Sequence, residues 1–145
     1  MTVPEITVRN LQRKISVNVV ELERFSEKAV QHCLQLHQRR RTDLRKLSEI
    51  FIWFISDRRM SLLHRKFLGQ SGPTDVLTFQ HGEIFISVDT ARRHARAFEN
   101  SLLREIKLYI VHGVLHLHGF DDQTPTEADK MKVAQEKILE LCSGV

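Results

Sequence analysis

The sequence predicts an α+β fold in a single domain spanning residues 1–145, with about four strands in a mixed sheet and about five helices. Three observations lead there. The length of 145 residues suits one domain better than two. The apolar residues change period along the chain, from strict alternation to the three-and-four spacing of helices. No linker, internal repeat or low-complexity segment divides the sequence.

Ile6 and Val8 alternate with Glu5, Thr7 and Arg9, the pattern of a short half-buried strand. Asn18 with Glu21 has the spacing of a capping box, with Val17 and Leu22 as a hydrophobic staple. Leu22, Phe25, Ala29 and Cys33 then recur on one helical face, predicting a helix over 19–38 that ends at the basic cluster Arg39–Arg41. Ile50-Phe51-Ile52-Trp53-Phe54-Ile55 reads as a central strand buried on both faces. Asp57 is the expected cap of a short helix whose stripe is Met60, Leu63 and Phe67, with Gly69 as its stop.

Residues 70–73 form a loop. Val76–Phe79 and Ile84–Val88 are two strands joined across His81-Gly82 as a hairpin. Asp89 is the expected cap of a helix to about Glu99. Ser101 opens the next helix, whose buried face is Leu102, Leu103, Ile106, Ile110, Val114 and Leu117 and which ends near Gly119. Thr124-Pro125-Thr126-Glu127 starts the last helix, with the apolar stripe Met131, Ala134, Ile138 and Leu141.

Composition narrows the function classes. With 41% hydrophobic and 28% charged residues the chain is too apolar to be disordered and too charged for a membrane protein. No apolar run approaches the roughly 18 residues of a membrane span, and Met1–Asn10 does not read as a signal peptide. Cys33 and Cys142 cannot make a disulfide framework and are expected as reduced thiols, which points to the cytoplasm. Residues 1–70 hold 14 Lys/Arg against 7 Asp/Glu, net +7; residues 71–145 hold 8 against 11, net −3. A basic half hints at nucleic acid, although runs such as Arg39–Arg41 also occur as ordinary solvated surface.

The chemistry concentrates in Val111–Asp122. His112 and His116 are four apart, so their imidazoles lie on one helical face and can share one divalent metal. Gly119 permits a sharp turn after the helix, and a third ligand can come from residues 121–123. Three protein ligands leave an open position, the mark of catalytic metal sites. His118 faces away from His116 and reads as structural.

This segment resembles the YbeY-type endoribonucleases, a family of bacterial rRNA maturation factors. His112-Gly113-Val114-Leu115-His116-Leu117-His118-Gly119-Phe120-Asp121 is similar to the family's HGxLHLxGYD stretch. Pro73-Thr74-Asp75-Val76-Leu77-Thr78-Phe79 is similar to its PTDVLSF strand, His64-Arg65 to the Tyr-Arg before it, and Gly82-Glu83-Ile84-Phe85-Ile86-Ser87 to GDIxIS. The similarity runs over residues 62–131 in the family's order.

The resemblance implies a metal-dependent, single-strand-specific endoribonuclease that acts in small-subunit rRNA 3′-end maturation and ribosome quality control. Its partners would be ribosomal RNA and the small ribosomal subunit; the oligomeric state is left open. One divalent cation is implied, Zn²⁺ with Mn²⁺ or Ni²⁺ as alternatives, held by His112, His116 and Asp122. Hydrolysis would use water activated by that cation. Asp122 stands where the family has a third histidine. It is read as a carboxylate ligand, as a sign of a harder metal such as Mn²⁺, or as a weakened site in a non-catalytic assembly factor.

Arg65 and His112 are the expected catalytic residues, Arg65 through phosphate binding or charge stabilisation. Arg65, Thr74 and Asp75 are expected to bind substrate; Asp75 equally suits an Asx-type bond within its loop. Glu127 reads as the capping-box acid or as a residue orienting a ligand, and Trp53 and Tyr109 as core. A zinc peptidase is the least favoured reading, because Gly113 stands where the HExxH helix carries its general-base Glu.

Overall fold

A computed structural model describes residues 3–36 and 44–143; the cluster Arg39–Arg41, expected to end the first helix, lies outside the described residues. The elements run β1 (Glu5–Asn10), α1 (Val19–Leu34), β2 (Glu49–Ile55), α2 (Asp57–Leu68), β3 (Val76–Phe79), β4 (Glu83–Ser87), α3 (Val88–Ala97), α4 (Leu102–Leu117) and α5 (Pro125–Cys142). Among the described residues these are the four strands and five helices of an α+β fold. The sheet order is β1-β2-β4-β3. β1, β2 and β4 are parallel, and β3 turns back antiparallel to β4 as a hairpin.

Alternation in the strands sends Ile6, Val8, Ile50, Ile52, Phe54, Ile84 and Ile86 to one face, where all are buried. They pack against Leu22, Phe25 and Ala29 of α1 and Ile106, Ile110 and Val114 of α4, with Met131 and Ile138 of α5 behind. α4 is enclosed on most sides, which is why its sequence is apolar through Val111, Val114, Leu115 and Leu117. No described helix is long and apolar enough to cross a membrane. Cys33 and Cys142 are both free and buried.

β2 departs from the expectation of burial on both faces. Ile50, Ile52 and Phe54 are fully buried on one side, but Phe51 and Trp53 on the other are only half-buried. Of the helices, α2 covers this second face, through Met60 against Ile55 and Leu77. Trp53 and Phe85 pack against this cluster, and the rings shield one another further: Phe51 stacks on Trp53 at 5.5 Å, and Trp53 lies 6.4 Å from Phe85. Trp53 Nε1 donates to Glu83 Oε2 at 2.8 Å.

Both aspartate caps are corrections. Ser56 caps α2, its hydroxyl accepting from Arg59 N–H, and Asp57 is the first helical residue. Ser87 caps α3, accepting from Thr90 N–H, so the helix starts at Val88 directly off β4. The aspartates are used across the joint between the two helices. Asp57 accepts from the Ser87 and Thr90 hydroxyls at 2.6 Å each and from Arg93, while its own N–H donates to Asp89.

Three more expectations shift at element ends. α1 stops at Leu34 rather than 38, and its last carbonyls are met from elsewhere: Leu34 O by Arg45 and Leu36 O by His118. Phe67 is 54% exposed, because α2 runs past β3 and only the ring edge meets Phe79. In α5, Leu139 and Cys142 are buried in place of Leu141.

At the outer margin of the sheet, the N–H groups of Glu5 and Leu11 point into the ladder, to Ser48 O and Phe54 O. The even-numbered amides between them face outward, and that of Val8 donates to Glu23 Oε1 of α1 at 3.1 Å.

Candidate metal centre

The C-terminal half of α4 carries His112 and His116 one turn apart on the face left open by the core. Their ring centroids are 4.6 Å apart and their Nε2 atoms 3.1 Å apart. Nδ1 of His112 lies 2.9 Å from Gln135 Oε1 on α5, and Nδ1 of His116 lies 3.0 Å from Phe120 O. A carbonyl oxygen only accepts, so both Nδ1 atoms carry the proton and both Nε2 atoms present lone pairs. Two lone pairs facing each other at that distance repel unless a cation lies between them.

The third group comes from the turn. Gly119 adopts φ 93°, a conformation that favours glycine, while Phe120 N–H donates to Leu115 O and closes the helix end. The chain then doubles back and brings Asp122 Oδ2 to 3.6 Å from His112 Nε2 and 4.0 Å from His116 Nε2. The three candidate ligand atoms lie within 4.8 Å of one another. Two imidazole nitrogens and one carboxylate oxygen converging on a point fit a divalent cation such as Zn²⁺. Burial and the neighbouring His112 push His116 below the usual imidazole pKa, against the opposing pull of Asp122 and the Phe120 carbonyl. That keeps the ring neutral and its lone pair available near pH 7.

The centre opens into a cleft of about 590 Å³, walled by Val76, Thr78 and Gln80 of the β3 side and by Leu68 of α2. Gly113 lets α4 lie close on the sheet. A Cβ at this position would sit 2.9 Å from Ile84 Cγ2 and 3.2 Å from Thr78 Oγ1. Position 113 therefore faces the strands, and a glutamate there, the general base of an HExxH peptidase, would collide with Ile84. The Thr78 hydroxyl beside it is buried without a hydrogen-bond partner.

The other expected site residues are placed as follows. Arg65 is exposed on α2, one turn before Leu68. Asp75 Oδ1 accepts from Val76 N–H at 2.8 Å and from the Thr74 hydroxyl at 3.4 Å, a local bond at the start of β3, and neither residue lines the cleft. At the start of α5 the Thr124 hydroxyl accepts from Glu127 N–H at 3.1 Å and donates to the Glu127 carboxylate at 3.0 Å. His118 is fully buried and binds Leu36 O at 2.8 Å, the structural role expected of it. Tyr109 is buried and bonded to His94. The sequence reading missed Gln135 and the Phe120 carbonyl; both contacts are tertiary or turn-made and leave no mark in residue spacing.

The family model for Endoribonuclease YbeY matches residues 7–143. The chain belongs to the YbeY family of endoribonucleases. Among curated YbeY endoribonucleases, that of Phocaeicola vulgatus is 37% identical over 106 residues, covering 68% of this chain and 77% of the relative. That of Chlamydia caviae is 31% identical over 150 residues, covering 93% and 89%. Among solved structures, the solution structure of TM1509 from Thermotoga maritima is similar with a TM-score of 0.57 at 25% identity, over 92% of this chain and 88% of that one. The YbeY match encloses every element that builds the cleft, from α2 to α5.

Proposed function

We propose that this YbeY-family chain is a metal-dependent endoribonuclease that cuts single-stranded RNA. By family it is an RNA-cleaving hydrolase. The finer reading places it in the cytoplasm, acting as one domain on ribosomal RNA of the small subunit, in 3′-end maturation and ribosome quality control. His112, His116 and Asp122 would hold the cation, Zn²⁺ in preference to Mn²⁺ or Ni²⁺. A divalent ion there supplies Lewis-acid charge beside a scissile phosphate. The observation that carries this reading is the convergence of the two Nε2 atoms and Asp122 Oδ2 in an open cleft.

The chain's own residues do the rest. Gln135 and Phe120 O hold the imidazoles, and Thr78 and Gln80 bound the cleft where the RNA backbone would lie. Arg65, exposed on the helix that supplies Leu68, offers a guanidinium to a phosphate. The test is cleavage of single-stranded rRNA fragments by protein purified without a histidine tag, alongside elemental analysis. Bound metal and cleavage that both disappear in His112→Ala support the proposal; full cleavage in His112→Ala defeats it.

One observation favours a second reading, a non-catalytic assembly factor with a degenerate centre. The Asp122 side chain is 47% exposed, and its oxygen lies farther from each nitrogen than the nitrogens lie from each other. Cleavage absent from the wild type but gained in Asp122→His would decide for it.

A further inference from the structure

The two imidazoles of the centre are held by different means. His116 is held by the Phe120 carbonyl, a backbone group delivered by the turn of its own helix. His112 lies inside α4, where the nearby backbone carbonyls are already engaged in the helix. Its Nδ1 partner has to come from another element, and it comes from α5: Gln135 Oε1 at 2.9 Å. α5 is fixed by burying Met131, Ala134 and Ile138, which leaves Gln135 half-buried on the flank of that stripe facing α4.

We propose that Gln135 is a positioning residue for the metal centre: its amide oxygen locks His112 in the Nδ1–H tautomer and fixes the ring plane. The Nε2 lone pair is thereby aimed at the point shared with His116 and Asp122. Partners of this kind set both the tautomer and the orientation of a ligating imidazole. An amide does so without adding charge, so the donor set keeps the single carboxylate of Asp122. The metal-affinity arm of the test rests on the metal reading above; the tautomer arm does not.

The experiment uses the full chain. In the metal-free, ¹⁵N-labelled protein at about pH 8, where free imidazole is neutral, long-range proton–nitrogen spectra assign each tautomer. The wild type is expected to show Nδ1–H at both His112 and His116. Gln135→Met, similar in shape, moves His112 towards Nε2–H and leaves His116 unchanged. Titration of Zn²⁺ against a chromophoric chelator then reads affinity. Gln135→Met weakens it by roughly 10–100-fold, the range for loss of such a partner, and Gln135→Glu restores it. An Nε2–H tautomer at His112 in the wild type, no change in Gln135→Met, or Zn²⁺ affinity within twofold of wild type overturns the proposal. A wild type that takes up no Zn²⁺ overturns the metal reading instead, and the tautomer result alone then decides the role of Gln135.

Discussion

An imidazole whose Nδ1 proton is committed to an oxygen has one lone pair left to offer, and His112 and His116 are both in that state. Truncating either leaves the other facing Asp122 alone. We expect His112→Ala to lose Zn²⁺ binding and at least 100-fold in RNA cleavage, with an unchanged far-UV spectrum; retained metal in an equilibrium dialysis would contradict it. Asp122→Ala keeps both nitrogens and should weaken Zn²⁺ rather than abolish it, and by more than the loss of the Gln135 partner does, in a chelator competition. At this scale the sequence was a good guide where chemistry depends on spacing along one helix. The four-residue interval of His112 and His116, and the glycine that returns the chain to Asp122, were both readable. For Asp75 spacing left two readings level, a cleft residue or a local Asx-type bond, because a residue's place beside a motif does not say which way it faces. The structure shows the local bond, with Asp75 Oδ1 accepting from Val76 N–H. Gln135 was invisible, since its contact needs α5 laid against α4.

Helix ends and helix–sheet contacts set the frame around those side chains. Gly113 is the point where α4 meets the strands, and the Gly113→Ala methyl would meet the buried, β-branched Ile84. Overpacking of this kind costs about 1–3 kcal/mol, partly offset by the better helix propensity of alanine, about 1 kcal/mol. A net loss of stability is expected, read as a lower urea midpoint at unchanged slope.

The α2–α3 joint gives a pH signature. Burial alone would raise the Asp57 carboxyl, but hydrogen bonds from Arg93, Ser87 and Thr90 outweigh it and hold the pKa below the usual value. The ionised form is thus favoured in the folded state, and its contribution is present above about pH 4 and lost as pH falls through the folded pKa. Asp57→Asn should be less stable than wild type by roughly 2 kcal/mol at pH 7, with the gap closing on acidification; a gap that does not change with pH would refute this. The sequence suggested both aspartates as caps because the acidic cap signal is strong. Serine is an equally good cap, so Ser56 and Ser87 carried the same signal one and two residues earlier; that Asp57 is then free to tie two helices together is a tertiary matter.

For the molecule as a whole, a ligand that binds only the folded chain raises its melting point. Zn²⁺ at 100 times its dissociation constant adds about 2.7 kcal/mol. For 145 residues that is a rise of roughly 9 °C. Chelation should reverse it, and Asp122→Ala should shrink it; melting points indifferent to Zn²⁺ would count against the centre. The fold class was legible because period and turn signals agreed along the chain. What was not legible was how the layers are shared out: the main core helices lie on one face of the sheet, leaving Phe51 and Trp53 half-covered on the other, and local sequence carries no record of which face a helix joins. The outer margin of β1 has its own consequence. With the Val8 amide already claimed by the Glu23 carboxylate, a second chain arriving edge-on finds its central rung taken. Growth into fibres by strand addition at that edge would first have to break the bond to this acidic side chain.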